Sequence, residues 1–139
     1  MKIGFTFPLP PKELSPNARD RWARIKMTEQ YRDAVILCTR QQRDSLDGWE
    51  VWNVGRCRLT ETYRIAGKRR RDVRNLFAAC KTLEDALCPA RKTNYGNWVS
   101  GAGILPGDDD SVLEHGAPRI ERVKTKAEEG VLVEIEEIS

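Results

Sequence analysis

The 139 residues are 40% hydrophobic and 32% charged, with a formal net charge of +3. That length suits one domain with a single core rather than two independent ones. No apolar run approaches the roughly 20 residues that cross a bilayer, and Met1-Lys2-Ile3-Gly4-Phe5 does not open a long apolar leader. The expectation is a cytoplasmic protein without a membrane partner.

Lys2 to Phe7 alternates weakly and reads as a strand, closed by Pro8, Pro10 and Pro11. A helix follows, with Met27, Tyr31, Ala34, Val35, Cys38 and Leu46 at helical spacing, stopped by Asp47-Gly48. The clearest strand runs from about Gly55 to Ala66. Cys57, Leu59, Tyr63 and Ile65 form one face of it, and Arg56, Arg58, Thr60, Thr62 and Arg64 the other. Glu61 interrupts the apolar face, which marks an approach to a polar site or to the sheet edge.

A second helix is expected from near Asp72 to about Leu87, buried through Val73, Leu76, Cys80, Leu83 and Leu87. Cys88 to Gly107 has no consistent period, and so long a stretch usually carries a functional loop. Two strands close the chain, roughly Arg119 to Thr125 and Val131 to Ile138, joined by a turn at Glu128-Glu129-Gly130. The pattern predicts an α+β fold, a single mixed β-sheet with helices packed on one face.

Cys38, Cys57, Cys80 and Cys88 lack the close spacing of a zinc knuckle, and the single His115 does not complete one. They read as reduced structural thiols. Charge is unevenly spread. Arg56 to Lys81 holds nine Lys/Arg and two acids, whereas Asp108 to the end holds ten acids and four bases. The first segment suits a polyanion; the second must avoid one or hold a cation.

Lys68-Arg69-Arg70-Arg71-Asp72-Val73-Arg74-Asn75-Leu76 couples a strand end, a basic run and a helix start. At about 100° per residue, Arg74, Lys81 and Asp85 fall within roughly 20° of one line. They form a polar stripe opposite the apolar one, with Asp72 at the helix entrance. Taken singly, Asp72 reads as a helix cap and the stripe as a solvated face. Asp108-Asp109-Asp110 follows the apolar pair Ile104-Leu105. Adjacent carboxylates repel unless solvent or a cation separates them, and magnesium takes such oxygen ligands together with water and phosphate. An isolated triplet of this kind is otherwise a surface turn.

In this order the motifs resemble the RusA-type Holliday junction resolvases, particularly their phage-associated branch. Pro10-Pro11-Lys12-Glu13-Leu14-Ser15-Pro16-Asn17-Ala18-Arg19 is similar to that branch's opening motif. Arg71-Asp72-Val73-Arg74-Asn75-Leu76 resembles its arginine-rich Asp-x-Asp-Asn motif. Lys81 and Glu84-Asp85-Ala86-Leu87 sit where the branch places a lysine and an Asp-Ala-Leu, and Asp108-Asp109 matches its last acidic motif. The likeness spans nearly the whole chain except residues 89–102, which look like a loop insertion. Arg74 departs from the pattern: the family has an aspartate there, part of its acidic catalytic set.

The resemblance implies a RusA-like fold and a homodimeric, magnesium-dependent endonuclease that cuts four-way DNA junctions symmetrically in recombination and repair. It makes Asp72, Asp109 and Lys81 the catalytic residues. Asp72 and Asp109 would hold Mg2+, with Asp108 and Asp85 in support. Lys68, Arg69, Arg70, Arg71 and Arg74 would contact DNA phosphates. Two rival expectations stand beside it: a junction-binding protein of the same fold that no longer cleaves, and a small structural or regulatory protein.

Overall fold

Alternation along the strands decides which side of the sheet is covered. The computed structural model describes residues 2–11, 14, 20–46, 52, 55–67 and 73–138, with 73–75 described by their backbone. β1 (Lys2–Phe7) buries Ile3, Phe5 and Phe7 and turns Lys2 and Thr6 to solvent. β2 (Cys57–Ala66) buries Cys57, Leu59, Tyr63 and Ile65, and β7 (Gly130–Glu137) adds Val131, Val133 and Ile135. Register aligns them in rows across three strands: Ile3, Ile135 and Leu59; Phe5, Val133 and Glu61; Phe7, Val131 and Tyr63. A fully buried side chain of this size contributes about 1.5–3 kcal/mol, so these rows anchor the sheet.

β7 lies between β1 and β2, antiparallel to both. Along the other edge of β2, β5 (Leu113–His115) and then β6 (Arg119–Val123) run parallel to it. Gly116 links the two, its amide donating to the Leu59 carbonyl at 2.8 Å. A Cβ there would meet Thr60 Oγ1 at 2.6 Å, so the link passes too close to β2 for a side chain. The turn expected after β6 is a 3-10 turn (Lys126–Glu128) that carries the chain past the end of β2. Glu129 then accepts the Ala66 amide at 3.0 Å. β6 and β7 therefore flank β2 on opposite sides.

The helices cover the apolar side of this mixed sheet, giving the expected α+β arrangement. α1 (Arg21–Arg43) starts at Asp20, which accepts the Ala23 amide at 3.0 Å, a side-chain cap of the ordinary kind. It buries Tyr31, Val35, Ile36 and Thr39. Its Gln42 bonds both the amide and the carbonyl of Thr6, at 2.8 and 2.7 Å, occupying backbone groups of edge strand β1. α1 ends at Arg43, ahead of the expected Asp47-Gly48 stop, which lies outside the described residues; Leu46 packs against the core from beyond the helix.

The expected second helix is two helices, α2 (Val73–Ala79) and α3 (Lys81–Leu87). At the break the Cys80 amide donates to both the Leu76 and Phe77 carbonyls, at 3.1 Å each, a local tightening to 3-10 geometry. The apolar stripe runs through regardless: Leu76, Cys80, Leu83 and Leu87 are buried. Residues expected as an irregular loop contain a small hairpin of β3 (Arg91–Lys92) and β4 (Trp98–Val99). Among the described residues, every buried apolar side chain except Ile36 joins one cluster. All four cysteines are free thiols, Cys57 and Cys80 buried and Cys38 and Cys88 partly so. Among the described residues no helix is long and apolar enough to cross a membrane.

Candidate active-site cleft

α3 carries polar groups on either side of its buried stripe, and each side meets a different part of the chain. On one side Lys81 and Asp85 are four residues apart, one above the other on the helix. Lys81 Nζ stands 3.5 Å from Asp85 Oδ1 and 3.9 Å from Asp108 Oδ2. The lysine side chain is 69% exposed, whereas that of Asp85 is 26% exposed. The ammonium is thus the solvent-facing partner of the pair and the carboxylate the more buried one.

Asp85 and Asp108 line a cleft of about 210 Å³ with Cys88, Pro89, Arg91 and Gly107. The Cys88 thiol registers the local field. Burial, then the negative charges of Asp108, Asp85 and Glu84, push it up to about 11. It stays a neutral thiol, beside two carboxylates and the Arg91 guanidinium that line the same cleft.

Asp109 is placed differently. Its Oδ1 accepts the Ser111 amide at 2.8 Å, and its carbonyl accepts the amides of Val112 and Leu113. This is an aspartate-built turn, and the bond to Ser111 holds the carboxyl below its ordinary value. Of the triplet, Asp108 is the member that reaches Lys81. Lys68, Arg69, Arg70, Arg71 and Asp72 lie outside the described residues, as does the side chain of Arg74. Of the arginines expected on the open face of β2, Arg58 pairs with Glu114 at 3.2 Å and Arg64 with Glu121 at 3.4 Å. Both are partly neutralised by acids of β5 and β6.

The other side of α3 holds a cluster that no sequence motif marked. Glu61, Tyr63, Phe77, Glu84 and His115 line a cavity of about 200 Å³. Glu84 Oε2 is 3.2 Å from His115 Nε2. Tyr63 donates its hydroxyl to Glu61 Oε2, and the Glu61 and Glu84 carboxyl groups meet side chain to side chain. Burial, then the adjacent Glu84 carboxylate, pushes the Glu61 carboxyl up to about 8. The interruption of the β2 apolar face at Glu61 was the only sign of this cluster in the sequence.

Two carboxylates converging on one rim match what a hard divalent cation asks of a protein that leaves its other positions to water and phosphate. Among the described residues no group of three or more His, Cys, Asp or Glu side chains is arranged to hold a metal ion. Asp85 and Asp108 would thus supply part of a ligand set whose other expected members are Asp72, outside the described residues, and Asp109, whose carboxylate accepts the Ser111 amide. No protein-family model matches this sequence, and no curated protein does.

Proposed function

We propose that the protein is a magnesium-dependent endonuclease of branched DNA, of the kind the RusA-type resemblance implies, with Lys81, Asp85 and Asp108 at its reaction centre. The observation that carries the reading is the meeting of these three side chains. Lys81 and Asp85 were expected to share a stripe from helical spacing alone. Asp108 reaches the same point from beyond the β3–β4 hairpin, with Lys81 Nζ 3.5 Å from one carboxylate and 3.9 Å from the other.

Each group has a task suited to its exposure. The Lys81 ammonium, on a flexible stem at the rim, can leave the carboxylates for a phosphate and neutralise charge developing on its oxygens. Asp85 and Asp108 would hold the cation, with Asp72 expected to join them. The cation would polarise the scissile phosphate and lower the pKa of a bound water. The run Lys68 to Arg71 would bind backbone phosphates and make affinity fall steeply with salt. A two-fold dimer would present two such sites to the two equivalent strands of a junction. A cytoplasmic setting belongs to the same reading.

Arg74 in place of a family aspartate favours a second reading, a junction binder that does not cut. The test is incubation of labelled four-way junction and linear duplex, each with magnesium and with chelator. The nuclease reading expects paired cuts in the junction with magnesium only. Tight, salt-sensitive junction binding with no cut in either condition supports the second reading, and no preference for the junction over duplex overturns both.

A further inference from the structure

We propose that the β3–β4 hairpin is an aromatic probe that stacks on unpaired bases of the nucleic acid bound at the Lys81–Asp85–Asp108 cleft. The location rests on the nuclease reading above; the chemistry rests on the hairpin itself. Its turn is well formed. The Thr93 amide donates to the Asn97 carbonyl at 2.8 Å and the Gly96 amide to the Thr93 carbonyl at 2.9 Å, with Gly96 at φ +83. A two-residue ladder is marginal by itself, yet this one holds two large aromatics out in water. Tyr95, at the tip, is 94% exposed and Trp98 is 71% exposed.

Cations accompany them. Lys92 pairs directly across the ladder from Trp98, so the two share a face, and Arg91 precedes it. Pro89 to Gly107 contains no acidic residue. Aromatic faces with adjacent positive charge and no acid suit bases on a phosphate backbone, because every base offers a π-face and every linkage a negative charge.

The hairpin is also rooted at the cleft. The Ala102 amide donates to the Ala86 carbonyl at 2.8 Å and the Ile104 amide to the Leu87 carbonyl at 2.9 Å, which pins the hairpin's exit to the end of α3. Gly101 packs so closely on Cys88 that a Cβ would come within 2.0 Å of its carbonyl oxygen. Arg91, in the first strand, lines the same cleft as Asp85 and Asp108. A branch point is where a duplex-binding protein meets unpaired or unstacked bases, and the hairpin stands beside the groups that would cut there.

The test uses the full chain and its Tyr95→Ala/Trp98→Ala double variant, in chelator. The probes are a four-way junction carrying 2-aminopurine at the branch point and a single-stranded oligonucleotide carrying the same base. Both substitutions are at exposed positions, and an unchanged melting temperature confirms that the variant folds. The parent should change 2-aminopurine fluorescence in both probes. The variant should lose at least about five-fold in affinity for each stacked aromatic, and Tyr95→Phe/Trp98→Phe should recover most of it. Equal binding by parent and alanine variant overturns the hairpin assignment and leaves the nuclease reading standing. Single-strand binding that depends on the hairpin, with no junction cleavage in magnesium, upholds the assignment and overturns the nuclease reading. Binding to neither probe overturns both. A variant that binds both probes like the parent but sediments at lower mass assigns the aromatics to a second copy of the chain, and overturns the proposal.

Discussion

Tyr63 donates its hydroxyl to Glu61, two residues earlier on the same buried face of β2. An apolar row thereby accommodates a carboxyl group, with Glu84 beside it and His115 beyond. Because Glu61 is raised to about 8, the folded protein keeps a proton there that the unfolded chain releases near the ordinary glutamate value. Its stabilising contribution is full below the unfolded value and is lost as pH rises through about 8. Parent stability should therefore decline between about pH 5 and 8, whereas Glu61→Gln, neutral throughout, should be flatter. Thermal melts across that range check this; parallel curves for the two proteins would refute the raised carboxyl.

Lys81 is mostly exposed and its pairing with Asp85 is the surface i, i+4 kind, worth about 0.2–0.5 kcal/mol. Lys81→Met should leave the melting temperature nearly unchanged. Junction cleavage in magnesium should fall by about a hundredfold or more if the ammonium stabilises charge on the phosphate. A variant that cuts at the parental rate would remove Lys81 from the chemistry.

Asp109 and Asp108 are neighbours with different surroundings, and substitution should separate them. Asp109→Asn keeps an acceptor for the Ser111 amide, so it should preserve both the turn and cleavage. Asp109→Ala should lower the melting temperature by loosening the turn. Asparagine at 109 abolishing cleavage while the fold survives would uphold the metal-ligand role the resemblance implies for Asp109.

Gly101 lies against the backbone of Cys88 and Pro89. Gly101→Ala should cost about 1–3 kcal/mol, the range for a side chain forced into filled space. Denaturant melts measure it, and an undiminished midpoint would mean that the hairpin's exit shifts freely relative to α3.

Periodic elements were legible in the sequence. β1, α1, β2 and the closing strands follow from alternation or helical spacing, and the stripe through Leu76, Cys80, Leu83 and Leu87 is buried as its spacing implies. The break at Cys80 was not, because one 3-10 turn barely disturbs a stripe that continues across it. β3, β4 and β5 have two or three residues each, too few to display a period. The pairing of Lys81 with Asp85 could be read from one helix, but which of Asp108, Asp109 and Asp110 lies beside Lys81 could not. It depends on a turn closed by Ser111, Val112 and Leu113. The partners of Glu61 were hidden for a similar reason: Glu84 and His115 come from α3 and β5, and only tertiary packing joins them.

On the nuclease reading, Asp85 and Asp108 serve one reaction centre. Single-turnover cleavage of a four-way junction, with enzyme in excess and magnesium present, tests it most directly in the parent, Asp85→Asn and Asp108→Asn. Either amide should slow cleavage by more than the roughly 10–100-fold typical of losing an outer partner of a metal site. Raising magnesium should partly restore the rate, and junction affinity in chelator should be kept. Cleavage at the parental rate by both variants would contradict it.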